Sequence, residues 1–378
     1  MTDLTGLSHA TARLDPPLAA LDLEAAQANL ADLVRRAGGT PVRVASKSVR
    51  CRWVLDLALA TPGVHGVMAF SLGEALWLVG TGIDDVLIGY PSVDKGALTA
   101  LGGSSGALAA ITLMVDDVAH LDLAPAGARV CLDVDASLRI GRAHLGVRRS
   151  PVRTPGDAAA LAAAAVARGL RVVGVMFYEA QIAGLPDSSA AVRWVKRRSA
   201  DELASRRGAV VKAVTAATGP LEFVNSGGTG SLEVSSADST VTEVTAGSGI
   251  YTPTLFDGYR AFVPRPALYV ALPVTRRPAP RIATLFGGGY IASGPAGKSR
   301  LPKPAVPGLR LLGTEGAGEV QTPVRGRAAD ELHVGDRVWF RPAKAGEQLE
   351  RFDTLHVVER DRLVASVPTY RGEAQTFG

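Results

Sequence analysis

The chain has 378 residues, is 47% apolar and carries a formal net charge of +5. That length exceeds one ordinary domain and suits a large α/β barrel with a smaller companion. No charge-free apolar stretch of about 18 residues occurs, which speaks against a helical membrane span. The modest charge, spread over scattered arginines, gives no nucleic-acid footprint.

The loose leader, residues 1–14, carries Asp3 and lacks a basic start followed by an apolar run, so no signal peptide is expected. Pro17 to Leu21 is a short apolar run, and Leu23 to Arg36 has helical spacing, stopped by Gly38-Gly39. Strand-like runs then alternate with helical patterns. The runs are Val42–Ser46, Gly66–Phe70, Asp85–Ile88, Ala110–Met114, Arg129–Val134, Val172–Phe177, Glu222–Val224 and Thr242–Thr245. Helical patterns cover Cys51–Ala60, Leu72–Val79, Asp94–Leu101, Val115–Leu121, Pro155–Ala167 and Ala190–Thr218. This alternation predicts a (β/α)8 barrel over residues 1–256, with residues 1–20 free to join the second domain.

After Phe256 prolines recur and helical periodicity vanishes. Short runs at Ala267–Ala271, Arg281–Leu285, Gly318–Val320, Arg337–Phe340, Thr354–Val358 and Leu363–Val367 predict an all-β domain over 257–378. The boundary falls near 255–262, and no internal repeat is present. The densest basic run, Arg193 to Arg207, also holds Asp201 and Glu202 and reads as a solvated helix face. Cys51 and Cys131 stand alone, outside any metal-ligand spacing, which predicts a reducing, cytoplasmic setting.

The candidate chemistry centres on Lys47, which follows the strand-like Val42–Ser46. An amine at a strand-to-helix junction stands where α/β folds place their chemistry, and it can hold an aldehyde cofactor as a Schiff base. Ser226-Gly227-Gly228-Thr229 follows the seventh predicted barrel strand, and Ala246-Gly247-Ser248-Gly249 the eighth. Turns after those strands are the usual phosphate cradle of a barrel, because glycines admit an anion close to backbone amides. A phosphate cradle opposite an amine fits a phosphorylated aldehyde, and pyridoxal phosphate is the obvious candidate.

The chain resembles the fold-type III, alanine racemase-like pyridoxal-phosphate enzymes, in the branch of D-threonine aldolases and D-serine dehydratases. Asp15-Pro16-Pro17 through Asn29-Leu30 resembles the opening strand and helix. Arg43-Val44-Ala45-Ser46-Lys47-Ser48 is similar to the family's Arg-Pro-His-x-Lys-Thr, which makes Lys47 the Schiff-base lysine. Asp133-Val134-Asp135 to Arg139-Ile140-Gly141 looks like the element whose arginine sits by the cofactor. Val175 to Glu179 resembles the strand whose tyrosine, here Tyr178, lies near the ring. Ser226, Gly227, Gly228, Thr229, Gly247 and Ser248 match the phosphate turns. Val334 to Val338 and Phe352 to Leu355 resemble the closing β-domain.

The departures bear on the reaction. Where the metal-dependent branch has Pro-x-His-x-Cys or Pro-x-His-x-Asp, this chain has Pro342-Ala343-Lys344-Ala345-Gly346. An ammonium and a glycine do not ligate a divalent cation, so the metal site is expected to be lost. Ala45 and Val49 stand where the family has histidines flanking the lysine. Lys344 is then the candidate to attract a substrate carboxylate or hydroxyl. Arg139 is expected at the cofactor's phenolate oxygen or in a strand-end salt bridge, and Tyr178 at the ring or in the core. Glu179 is either a base or solvated. His9, His65, His120, His144, His333 and His356 show no metal pairing and read as structural. Gly287-Gly288-Gly289-Tyr290 reads as an ordinary turn, with close approach to a partner as the alternative.

The resemblance implies a cytoplasmic homodimer, each β-domain covering the partner's barrel. It also implies a small-molecule amino acid substrate and no nucleic-acid or membrane partner. The expected reaction is Cα–Cβ cleavage of a D-3-hydroxy amino acid. The alternatives are a dehydratase/deaminase, a racemase drawing a second base from Tyr269, Tyr290 or Tyr370, and a non-catalytic cofactor-binding protein.

Overall fold

The computed structural model describes residues 4–377, so Asp3 lies outside the described residues. Eight parallel strands close into a barrel. In chain order they are Val42–Ala45, Val64–Ala69, Val86–Ile88, Ile111–Val115, Arg129–Val134, Arg171–Phe177, Phe223–Ser226 and Glu243–Ala246. The last pairs with the first in register Val244↔Val42 to Ala246↔Val44. Each lies within about two residues of its predicted run, because the face each strand turns to its covering helices is apolar.

The helices begin where short polar side chains can satisfy free amides. Asp22 accepts from the Ala25 N–H at 2.9 Å and starts Leu23–Arg36. Ser71 caps Leu72–Gly80, and Thr154 and Asp157 form a capping box ahead of Pro155–Ala167. Ser189 caps the long helix Ala190–Thr218. Its basic run is only partly the solvated face expected: Arg207 is buried and bonds the Ser226 hydroxyl at 3.0 Å, with Asp238 as its ion-pair partner. Helices Thr5–Ala10 and Ser105–Ala110 fall where no helix is predicted.

A second sheet carries the rest of the chain. Leu18–Asp22 belongs to it, antiparallel to Leu268–Ala279 and parallel to Thr354–Glu359. The run Gly318–Val320 is not a strand; the strand is the following Gln321–Arg325. Gly318 turns so tightly that a Cβ would lie 2.1 Å from the Gln321 carbonyl oxygen, and Pro323 is accepted toward the sheet's edge, where a missing donor matters least. Gly288 in the Gly287–Tyr290 segment is a close-approach residue: at φ +114° its Cβ would meet the Thr322 hydroxyl at 2.3 Å. The approach is to this chain's own sheet. No helix among the described residues is long and apolar enough to cross a membrane.

Candidate active site

Lys47 occupies the middle of a single helical turn, Ser46–Ser48, directly after the first barrel strand. The turn points its amine into a cavity of about 480 Å³ at the carboxyl end of the barrel, the size of a small-molecule site. Lys47 Nζ lies 2.5 Å from the hydroxyl of Tyr90. Burial raises the Tyr90 pKa, but the charge of Lys47, its hydrogen bond and the charge of Arg149 outweigh that and hold the hydroxyl below its usual value. Arg149 sits with its guanidinium carbon 5.5 Å from the Tyr90 ring centre and 5.2 Å from that of Tyr178. Tyr178 lines the cavity, and burial raises its hydroxyl against the opposing charges of Lys47 and Arg149.

Beneath the cavity the barrel interior carries Asp133, two residues beyond the interior Cys131. Burial and the charge of Asp116 push its carboxyl up to about 7, with Arg149 opposing. Deeper lies a charge network. Arg43 bonds Glu243 at 2.9 Å and Asp85 at 2.8 Å, and His65 stands within 3.6 Å of Asp85 and 3.3 Å of Glu243. His65 is thus structural.

Beside the Lys47 strand, the turns after the seventh and eighth barrel strands line the same cavity with Gly227, Gly228, Thr229, Gly247 and Ser248. The Thr229 and Ser248 hydroxyls are 3.3 Å apart, and Thr229 Oγ1 accepts from the Gly249 N–H at 3.0 Å. A Cβ on Gly247 would sit 2.4 Å from the Ala45 carbonyl oxygen, and one on Gly228 2.8 Å from the Ala183 Cβ. Glycine at these positions lets the turns pack closely on the first strand and on Ala183 while leaving no side chain of their own in the cavity. With Lys47 lining the same cavity, this donor set fits the phosphate and aldehyde ends of pyridoxal phosphate.

Three candidate positions do not line the cavity. Arg139 lies on a hairpin outside the cavity, 47% exposed, in a 2.7 Å salt bridge with Asp135; Arg149 is the arginine that reaches the site. Ser226 is buried behind the cradle, donating to the Phe177 carbonyl at 2.8 Å and to Glu179 at 2.9 Å. Glu179 is neither solvated nor free to act as a base. It is 1% exposed and accepts from the hydroxyls of Ser226, Ser231 and Ser235 and from the Gly227 N–H. This carboxylate sets the shape of the phosphate turn from behind.

Lys344 enters the cavity from the second sheet's side, donating to the Ser293 hydroxyl at 2.9 Å. Burial, opposed by Glu347 and helped by the charges of Arg300 and Lys47, lowers its pKa. Its loop belongs to the same chain as the Lys47 it faces, so part of the cover expected from a partner is supplied in cis. The loop is anchored by backbone bonds from Thr254 N to Pro342 O and from Leu255 N to Ala343 O. Among the described residues no group of three or more histidine, cysteine or acidic side chains could hold a metal ion. Of the tyrosines considered for a second base, Tyr269 and Tyr370 are buried, the latter donating to Glu74 at 2.8 Å. Of these only Tyr290 is half-buried, edge-on to Phe352 with ring centres 5.6 Å apart.

Sequence reasoning missed Tyr90, Arg149 and Arg300. The signal for Tyr90 was present, since Gly89-Tyr90-Pro91 follows the third barrel strand as Lys47 follows the first. Arg149 and Arg300 come from irregular loops and carry no periodic signal.

A closed barrel with a strand-end lysine, a phosphate-type cradle and a second all-β sheet defines an alanine racemase-like, fold-type III pyridoxal-phosphate protein. Over 294 residues the chain is 31% identical to a D-threonine aldolase of Arthrobacter sp, spanning 73% of this chain and 72% of that protein. It belongs to the D-threonine aldolase family, and so to the pyridoxal-phosphate enzymes of amino acid chemistry. No family model matches the chain. Its fold is similar to that of a D-threonine aldolase from Filomicrobium marinum (TM-score 0.79, 22% identity, 96% of each chain). It is also similar to a D-threo-3-hydroxyaspartate dehydratase from Delftia sp. HT23 (TM-score 0.76, 20% identity, 94% of this chain and 97% of that one).

Proposed function

We propose that the protein is a pyridoxal-phosphate lyase that cleaves the Cα–Cβ bond of a D-3-hydroxy amino acid without a divalent metal. The observation that carries this reading is that Lys47 and the Thr229–Ser248 cradle line one cavity, in a chain of this family. Lys47 would hold the aldehyde carbon, while Thr229, Ser248 and the glycine amides of 227, 228 and 247 would hold the phosphate. The cofactor, when bound, supplies an electron sink for the pair released at Cα.

The residues divide the remaining work. Tyr178 and Tyr90, both under the Arg149 guanidinium, flank the cofactor position. Lys344, whose pKa is lowered by burial and neighbouring cations, takes as a neutral amine the proton from the substrate's β-hydroxyl and passes it toward Ser293 and Glu347. As the Cα–Cβ bond breaks, Cβ leaves as an aldehyde carbonyl. Lys47, free as an ammonium once the substrate amine has taken its place, then gives a proton to Cα, and glycine or a small amino acid is released. The Pro342–Gly346 loop supports metal independence, because Lys344 and Gly346 stand where the metal-dependent relatives place ligands.

Product analysis on D-threonine, D-serine and D-alanine tests the reading. Aldehyde and glycine from D-threonine are expected. Keto acid with ammonia would instead indicate a dehydratase, an inverted enantiomer a racemase, and no turnover with bound cofactor a non-catalytic binding protein. Activity is expected to persist after treatment with a chelator; strong activation by manganese would contradict metal independence. We also take the protein to be a cytoplasmic homodimer, on the resemblance alone, and light scattering of the purified protein would show a monomer if that is wrong.

A further inference from the structure

Three residues beyond Lys47 the backbone takes a conformation that arginine seldom adopts. Arg50 has φ +51°, in the left-handed region, although it is not glycine. Such a residue persists only where its surroundings fix it, and these outliers gather at functional sites. Here the surroundings are specific. The Arg50 N–H donates to the Ser46 carbonyl at 2.9 Å, and its own carbonyl accepts from the Tyr370 N–H at 3.0 Å. Its guanidinium carbon lies 4.5 Å from the Phe70 ring centre. From that platform Nε donates to the Lys47 carbonyl at 3.2 Å, and Nη1 donates to the Glu350 carboxylate at 2.5 Å. Glu350 belongs to the turn Gly346–Arg351, which begins two residues after Lys344. The Arg50 and Glu350 side chains are only 15% and 22% exposed, so solvent screens the pair only in part.

We propose that Arg50 is a positioning residue that clamps the backbone of Lys47 to the loop carrying Lys344, so that the Lys47 amine is aimed at the cofactor aldehyde before the cofactor binds. The inference rests on the Schiff-base reading of Lys47. Lys47 sits on a single turn, Ser46–Ser48, and so short a turn has few hydrogen bonds of its own to hold its direction. A side chain that grips the Lys47 carbonyl therefore limits where the amine can point. The planar guanidinium serves two partners in fixed directions, which a lysine ammonium does not. Both lysines line one cavity, and Arg50 bonds a segment next to each.

Cofactor binding to the full chain, freed of cofactor beforehand, tests it. Pyridoxal phosphate condenses with the Lys47 amine and loses water, whereas pyridoxamine phosphate offers the same ring and phosphate but no aldehyde. The preference for the first over the second, as a ratio of dissociation constants, reads the aim of Lys47 separately from the phosphate cradle. Arg50→Asn removes the guanidinium and keeps a residue that tolerates the left-handed backbone. It is expected to lower the preference about tenfold or more, the size of one charge-assisted contact, with pyridoxamine phosphate held within about twofold of wild type. Arg50→Lys should recover only part of the preference. An unchanged preference, or an equal loss for both ligands, would overturn the proposal, since a merely structural role weakens both alike. Should Arg50→Asn show no melting transition, Glu350→Gln leaves residue 50 in place and should lower the preference in the same direction; no change there overturns the clamp. Lys47→Ala checks the reading beneath and should abolish the preference. Wild-type preference surviving in Lys47→Ala would refute the Schiff-base assignment itself.

Discussion

A Cβ placed on Gly346 would stand 2.1 Å from the carbonyl oxygen of Lys47. The Pro342–Gly346 loop therefore rests directly on the backbone of Lys47. Arg50 and Glu350 tie the same two segments at 2.5 Å. Gly346→Ala must move one segment by several tenths of an ångström or more, and overpacking of this kind costs about 1–3 kcal/mol. We expect a lowered melting temperature and weaker cofactor retention, read by calorimetry and visible absorbance. For the same reason, Lys344→His combined with Gly346→Cys should not create a manganese-activated enzyme, because the cysteine Cβ has no room. Activation comparable to that of a metal-dependent relative would show that the loop can reposition.

Tyr90 is the nearest proton-carrying partner of Lys47. Tyr90→Phe keeps the ring under Arg149 and removes only the hydroxyl. Loss of a positioned proton-transfer group lowers kcat/KM by about a hundredfold or more. Because the Tyr90 hydroxyl is held below its usual value of 10.0, the alkaline limb of the pH–rate profile should also move in the variant. An unchanged rate and profile would limit Tyr90 to packing.

The network under the site predicts a pH dependence of stability. The carboxylates of Asp85 and Glu243 raise the His65 pKa from 6.5 to about 9, against burial and the charge of Arg43. A raised folded value means the stabilisation is complete below 6.5 and is lost as pH rises through about 9. Asp85 and Glu243 are both lowered and Arg43 is raised, so these three keep their charges across that window. The His65 side chain is 40% exposed, which screens the interaction. A shallow fall in melting temperature of about 1–3 °C between pH 6.5 and 9 is expected. His65→Gln should flatten it; an equal slope in the variant would place the titrating group elsewhere.

The barrel was legible because each strand turns an apolar face to the helices around it and is separated from the next by helical spacing, so length and flanking residues were enough to find each of them. The second sheet was less so. There Gly318–Val320 looked like a strand, yet the tight turn at Gly318 displaced pairing onto Gln321–Arg325. Lys47 and the two glycine turns were legible for one reason: each immediately follows a barrel strand, and a closed barrel must bring strand ends together. Arg139 and Ser226 also follow strands or lie at their ends, but their side chains turn toward Asp135 and Glu179. Nothing in local spacing distinguishes those orientations. Arg149 and Arg300 are positioned by loops whose course depends on distant packing, which one-dimensional pattern does not contain.

The central claim is that Lys47 carries the cofactor aldehyde. Borohydride reduction of the pyridoxal-phosphate-loaded protein, followed by digestion and mass spectrometry, tests it most directly. The account predicts a single pyridoxyl-phosphate adduct on Lys47, absent from Lys47→Ala together with the visible absorbance. An adduct on Lys344 or another lysine, or a Lys47→Ala variant with unchanged spectrum and turnover, would contradict it.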